Sequence, residues 1–381
     1  MRITHIKADE KWLYHRVIIK LGTNLITAGT DRLDLEIMAS LVTQVAQLHQ
    51  QGIEVVIVSS GAIAAGRQKL RLVKERKDIP FRQMLAAVGQ SSLMNAYDHL
   101  FAWQGITIAQ ALLTRADMSS RAGYLNARNT LLALMESQVV PIVNENDVIA
   151  TDEIKEEQFG DNDSLSAQVA NLVDADLLIL LSDVGGLYND DPHLNRRAKL
   201  IPNVDCIDRD IESFAKQSFC QQGTGGMATK LEAARLATNS GVPTVLAHGQ
   251  DQSVVLRLVR GESVGTFFSA GTTKLESRKR WMLSGLVCQG KIIVDEGAVK
   301  ALKIDKGSLL SIGIVGVEQE FQRGDIVEII DSYRKIVARG IANYRSVDIA
   351  IVKGCHSEEI FPKLGYQYSA EIVHRNNLVV V

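Results

Sequence analysis

Two lysines stand where an anion would be met. Lys20 interrupts the apolar run "VIIKL", residues 17–21, beside the turn "LGTN", and Lys230 closes "GTGGMATK", residues 223–230. An isolated buried ammonium is costly, so Lys20 either snorkels to polar surroundings or meets an anionic partner. "GTGGMATK" has the ingredients of a phosphate loop in another order. The P-loop wants glycine just before its lysine and a hydroxyl just after it, whereas Thr229 precedes Lys230 and Leu231 follows. A helical pattern runs on from about Gly226, so the N–H groups of Gly226, Met227, Ala228 and Thr229 would face an anion, with Lys230 in the same first turn.

Polar residues gather at other strand ends. "SSGAIAAG" places Ser59, Ser60 and Gly61 where hydroxyls and a close-approach glycine would cradle a carboxylate or phosphate; a capped helix start of small residues explains the same letters. "NENDVIATDEI" and "FGDNDSLSA" add Asn144, Asn146, Asp147, Asp161, Asn162 and Asp163. Asp161 or Asp163 alone would pass as a helix cap, but the excess of acids and amides exceeds what capping needs. Acids that accept from an ammonium and amides that donate to a carboxylate are the equipment for gripping an amino acid; a divalent metal is the rival use of the acids. Ser182 and Asp183, followed by Gly185 and Gly186, read either as a nucleotide-contacting edge or as a glycine turn.

These residues need a frame that brings them together. "VIIKL", "IEVVIVSSG", "ITIAQALL", "VVPIV", "DLLILL" and "VPTVLA" read as strands, most of them continuously apolar. They alternate with helical patterns: Ile37 to Leu48 ending near Gly52, Arg82 to Trp103, "YLNARNTLLALMESQ", a helix from about Asp163, and Gly226 to Asn239. Such alternation predicts a mainly parallel sheet covered on both faces, and ligands of open α/β sheets bind beyond the carboxyl ends of the strands. Near residue 270 the pattern changes. "SAGTTKLESRKRW" is polar and basic, and beyond it short strands with turns predict a small, mainly β domain. The expected division is 1–270, a linker at 271–288, and 289–381.

The chain has 381 residues, 46% hydrophobic and 23% charged, with a formal net charge of −2 and a pI near 6.5. That size suggests two domains, and the charge gives no reason to expect a general nucleic-acid or membrane binder. Cys206, Cys220, Cys288 and Cys355 are scattered without metal or disulfide spacing, which predicts a reducing compartment and buried thiols. With no signal-peptide pattern and no membrane-length apolar run, a cytoplasmic protein is expected.

Together the segments resemble the amino acid kinase family. "VIIKLGTN", "VVIVSSGAIAAG", "AAVGQ", "QALLTRAD", "NARNT", "VPIVNENDV", "GDNDSLSA" and "GTGGMATK" occur in that family's order over about residues 15–270, and the tail resembles a PUA domain. The resemblance implies an α/β/α sandwich plus a mainly β PUA domain. It also implies transfer of phosphate from ATP to the side-chain carboxylate of L-glutamate, giving L-glutamyl 5-phosphate as the first step of proline synthesis. By resemblance Lys20 and Lys230 are the catalytic cations and Asp163 orients them. Gly22 and Gly61 supply backbone N–H groups, and Ser60, Asp147 and Asn162 bind glutamate. Lys20, Gly22, Ser182 and Asp183, with Thr224, Gly225, Gly226, Met227, Ala228, Thr229 and Lys230, bind ATP, whose phosphates bring Mg²⁺; no protein-held metal is expected. Proline is implied as an inhibitor, a homodimer or homotetramer as the assembly, and the next enzyme of the pathway as a partner.

Three departures stand out: an amide at Thr23-Asn24 where relatives often have Ser, Ser182 where they have Thr, and a longer loop between Lys155 and Asp161. RNA binding through the tail is not expected, because residues 285–381 hold twelve Lys and Arg against twelve Asp and Glu. His356 and His374 are expected on the surface or in packing. Relatives acting on acetylglutamate, aspartate, carbamate or uridylate share the fold, and a non-catalytic amino-acid sensor is the rival from another class.

Overall fold

The computed structural model describes residues 12–71, 78–150, 162–192, 194–195, 197–217, 226–271, 273 and 288–381. Asp161, Cys220, Thr224, Gly225, the 155–161 loop and most of the expected linker lie outside them. Two compact units emerge, one of residues 1–118 and 127–274, the other of 119–126 and 275–381.

The first unit is built on β1 (Arg16–Leu21), β2 (Glu54–Ser59), β3 (Ile108–Leu113), β4 (Val140–Glu145), β5 (Leu177–Ser182), β6 (Asn203–Val204), β7 (Thr244–His248) and β8 (Thr266–Phe268). They form one sheet in the order β3-β4-β2-β1-β5-β7-β8-β6, parallel except where β7 meets β8. Helices α1 (Thr23–Ile26), α2 (Leu35–Gln50), α3 (Ala62–Leu70), α4 (Ile79–Ala102), α5 (Arg115–Ser119), α6 (Arg121–Glu136), α7 (Asp163–Leu172), α8 (Arg209–Gln217), α9 (Met227–Asn239) and α10 (Val254–Val259) fill the connections.

Strand parity explains the position of the first lysine. Successive side chains of a strand point to opposite faces. Val17, Ile19 and Leu21 pack with Leu41 and Val45 of α2, Leu93 and Tyr97 of α4, and Val255 and Leu258 of α10. Ile18 and Lys20 therefore face the other layer, and both are fully buried. The run is apolar on both sides because both sheet faces are covered.

Glycine shapes two approaches. Gly61, between β2 and α3, has φ +103, a conformation that disfavours any side chain. At Gly89 in α4 an added Cβ would lie 1.7 Å from the carbonyl oxygen of Ala62, so α4 presses directly on the first turn of α3.

The second unit contains the five-stranded sheet β11-β9-β12-β13-β15 and the pair β10-β14. Its strands are β9 (Gly290–Val294), β10 (Leu309–Leu310), β11 (Ile314–Glu318), β12 (Ile326–Ile330), β13 (Ile336–Ile341), β14 (Glu371–Val373) and β15 (Leu378–Val380). Its core gathers Ile292, Leu302, Val327, Val337, Ile349 and Ile372. The tail is less purely β than its letters suggest. "EGAVKALK" is α11 (Glu296–Lys303), capped by the Asp295 carboxylate, and α12 (Ser346–Val352) and α13 (Ile360–Leu364) follow. The expectation of buried thiols also fails among the described cysteines: Cys206 is exposed, and Cys288 and Cys355 are half-buried. His374 is half-buried and caps a short turn, its ring accepting from the Asn376 N–H at 3.1 Å. No helix among the described residues is long and apolar enough to cross a membrane.

Candidate active site

The sheet order reverses at β1. From it the chain steps outward through β2 and β4 on one side and through β5 and β7 on the other. Such a switch point leaves a crevice beyond the strand ends, and most of the residues singled out in the sequence lie around it.

At its centre is a buried ion cluster. Lys20 Nζ lies 2.7 Å from Asp163 Oδ1 and Lys230 Nζ lies 3.3 Å from Asp163 Oδ2. Lys20 and Asp163 are fully buried and Lys230 nearly so. Three elements supply the three groups: the end of β1, the first residue of α7 and the first turn of α9. Asp163 is not the cap of its helix. Asn162 holds that position, without a side-chain capping bond, and the Asp163 carboxylate turns to the lysines instead.

Burial alone would raise the Asp163 pKa. The adjacent Lys20 and Lys230 charges, and hydrogen bonds from Lys20 and Thr229, outweigh that and hold it well below the usual carboxylate range. Two ammonium groups sharing one carboxylate leave the cluster with one positive charge in excess, an environment that favours an anion. Gly22 adds room there: a Cβ would stand 3.5 Å from Lys20 Nζ, in space the glycine leaves open.

On the β2–β4 side the polar groups form a connected set. Asn162 Nδ2 lies within hydrogen-bond distance of the Ser59 carbonyl (3.2 Å), Ser60 Oγ (3.0 Å) and Asn144 Oδ1 (2.7 Å). Its own Oδ1 is buried and has no hydrogen-bond partner among the described residues. Ser59 is occupied elsewhere, its Oγ 2.8 Å from the Tyr97 hydroxyl. Asp147 is half-buried just beyond the end of β4. Burial and then the negative charge of Glu145 push its pKa up to about 6, against the pull of Arg82. Asn146 serves the turn, its carbonyl accepting from the N–H groups of Ile149 and Ala150.

On the β5–β7 side Ser182 Oγ donates to Asp183 Oδ1 at 2.9 Å, and Asn24 Nδ2 donates to Asp183 Oδ2 at 3.1 Å. Burial raises the Asp183 pKa, but these hydrogen bonds, its own backbone N–H and the Lys230 charge bring it below the ordinary value. The Asn24 amide therefore holds a carboxylate at the expected nucleotide side. Gly226 is the N-cap of α9, and Thr229 Oγ1 donates to Asp163 Oδ2 at 2.8 Å. Met227 and Ala228 fill the same first turn.

The sequence pattern of the amino acid kinase family matches residues 15–248. The chain belongs to the amino acid kinase family. The PUA domain pattern matches residues 290–362. This amino acid kinase is 55% identical to the glutamate 5-kinase of Dehalococcoides mccartyi over 97% of its own length and 99% of that protein. It is 49% identical to the glutamate 5-kinase of Shewanella oneidensis, over 97% and 98% of the two chains. The glutamate 5-kinase of Herpetosiphon aurantiacus is 48% identical, over 96% and 98%. ATP is accordingly a substrate of this enzyme.

Sequence reasoning passed over Arg82, Glu145 and Gln90. Gln90 stood inside a quoted motif, but its side chain gives no signal until α4 is seen against α3.

Proposed function

We propose that this kinase transfers the γ-phosphoryl group of ATP to the side-chain carboxylate of L-glutamate, releasing ADP and L-glutamyl 5-phosphate in the first step of proline synthesis. The observation that carries this reading is the buried Lys20–Asp163–Lys230 cluster, with its excess positive charge between an amino-acid side and a nucleotide side. The relatives' names supply the acceptor.

A side-chain carboxylate is already ionised at neutral pH, so no general base is needed. The obstacle is the approach of one anion to another and the charge of the transferring phosphoryl. Phosphoryl transfer is governed by positioning and electrostatic stabilisation. Lys20 and Lys230 supply the cations, Asp163 holds their ammonium groups in place, and Gly22 leaves phosphate room at Lys20. Fixed charges in a water-poor site act without reorganising during the reaction.

Ser60, Asp147 and Asn162 take the amino acid: Asn162 Oδ1, a buried acceptor lacking a partner among the described residues, and the Asp147 carboxylate receive its ammonium. Ser182, Asp183 and the start of α9 take the nucleotide, together with Thr224 and Gly225. Among the described residues no group of three or more His, Cys, Asp or Glu is placed to hold a metal ion. Mg²⁺, brought in with the ATP phosphates, would neutralise phosphate charge when bound. Proline, which shares the α-amino acid groups, competes with glutamate, and the enzyme works as a homo-oligomer in the cytoplasm. An acyl phosphate is labile, which favours handing the product to the next enzyme of the route.

The test is ADP release from Mg²⁺-ATP with L-glutamate, aspartate, N-acetylglutamate or no acceptor, with hydroxylamine to trap acyl phosphate. Turnover and hydroxamate with glutamate alone are expected. Absence of turnover alongside tight binding of proline or glutamate would replace this reading with that of a sensor.

A further inference from the structure

The motif "AAVGQ" has a glycine that lets α4 approach α3, and the next residue, Gln90, enters the polar set at the amino-acid side. Gln90 Oε1 accepts from Asn144 Nδ2 at 2.8 Å. Asn144 Oδ1 in turn accepts from the Glu145 N–H at 2.9 Å and from Asn162 Nδ2 at 2.7 Å. Three amides are thus joined in series, from α4 through the end of β4 to the start of α7.

The backbone fixes which way each amide points, a choice that heavy-atom positions alone leave open. The Glu145 N–H can only donate, so the Asn144 atom facing it is the oxygen. The Ser59 carbonyl can only accept, so the Asn162 atom facing it is the nitrogen. Asn144 Nδ2 must then find an acceptor on its remaining side, and among the described residues it donates to Gln90 Oε1. Asn144 is nearly fully buried, and a buried amide donor left without a partner is costly. Gln90 Nε2 has no hydrogen-bond partner among the described residues. Its acceptor oxygen is therefore the part of Gln90 that the series uses.

We propose that Gln90 is a positioning residue for the amino-acid substrate: by accepting from Asn144 it holds Asn144 against Asn162, so that Asn162 Oδ1 faces the substrate ammonium. The inference rests on the glutamate reading above. Without the acceptor, Asn144 turns to find one elsewhere, Asn162 loses the contact that orients it, and amino-acid affinity falls while the nucleotide side is untouched.

The test compares wild type, Gln90→Met, which removes the acceptor at similar volume, and Gln90→Glu, which keeps it. Steady-state KM is measured for L-glutamate and for ATP, with kcat and a thermal melt for each protein. Gln90→Met is expected to raise KM for glutamate by about ten- to a hundredfold, the range an unsatisfied buried amide implies. KM for ATP and kcat at saturating glutamate stay close to wild type, and Gln90→Glu restores most of the glutamate affinity.

An unchanged glutamate KM in folded Gln90→Met would overturn the proposal. So would an equal rise in both KM values, or a Gln90→Glu variant no better than Gln90→Met. Should Gln90→Met not fold, Gln90→Leu is read in its place, and failure of both to fold beside a sound Gln90→Glu with weakened glutamate affinity also overturns it. A wild type inactive with glutamate defeats the function reading instead; the same three proteins are then compared on the acceptor that wild type uses.

Discussion

Thr229 Oγ1 lies 2.8 Å from Asp163 Oδ2, the same oxygen that Lys230 Nζ reaches at 3.3 Å, and its one proton is shared with the Gly226 carbonyl, also at 2.8 Å. One turn of α9 thus grips the carboxylate twice, through a neutral group and through a cation. A hydrogen bond to a charged group contributes about 1.5–3 kcal/mol. Thr229→Val, which keeps the shape and removes the hydroxyl, is expected to lower stability by that order, and Thr229→Ser to retain most of it. Parallel thermal melts decide the point; a Val variant as stable as wild type would show that the bond contributes nothing.

The two lysines of the cluster are not equivalent to its aspartate in their effect on the fold. Removing one lysine leaves one ammonium facing one carboxylate, so Lys230→Met is expected to melt no lower than wild type in the absence of ligand. Its kcat should fall at least about a hundredfold, the scale reported for a lost preorganised charge-stabilising group. Asp163→Asn instead leaves two buried ammonium groups without a counter-charge, and is expected to cost about 3–5 kcal/mol. Melts of both variants, with turnover of the first, test the pair; a Lys230→Met protein with unaltered kcat removes that lysine from the chemistry.

Asp163 and Asp147 respond to pH in opposite senses. The folded Asp163 pKa lies below its ordinary 3.8, so its contribution to stability is present above that value and is lost as pH falls toward the lower folded value. The Asp147 pKa is raised to about 6 from the ordinary 3.8, so the folded chain holds a proton there that the unfolded chain has released. Its contribution to stability is present below 3.8 and lost as pH rises through about 6. Only the ionised carboxylate binds an ammonium well, so KM for glutamate should rise as pH drops below about 6 with kcat little changed. In Asp147→Asn the glutamate KM is high at all pH values and that inflection is absent, while the free protein melts higher at neutral pH. A glutamate KM flat across this range in wild type would defeat the assignment.

How much of this could be read beforehand follows from the range of the forces involved. β1, β2, β4 and β5 are each built around a short apolar run, and the apolar residues of Leu35–Gln50 recur at helical spacing, so both signals are local. Lys20, Asp163 and Lys230 were legible as anomalies because each breaks a local rule: a charge inside an apolar strand, an acid beyond the needs of capping, a lysine in a helix start. Helix α11 was missed because "EGAVKALK" is short and follows the strand "GKIIV" without a break, so alternating letters concealed the change of period. Gln90 was missed for another reason. Its partner Asn144 is 54 residues away, so no local pattern signals the contact. The Asn24 amide, by contrast, stands out in the sequence and resolves into a bond with Asp183.

Gly61 allows backbone strain and crowding to be separated. Its φ of +103 disfavours any L residue, and a Cβ there would stand 2.4 Å from Ile26 Cδ1. Strain of this kind costs about 1–3 kcal/mol. Gly61→Ala should therefore lower the melting temperature and, by shifting the start of α3 beside Ser60, weaken glutamate binding. Ile26→Val deletes the clashing methyl while leaving the backbone requirement in force. If crowding were the whole effect, the double variant would melt where Ile26→Val alone does. The φ requirement predicts only partial recovery, with glutamate KM still above that of Ile26→Val, and a double-mutant cycle of melts and KM values measures the remainder.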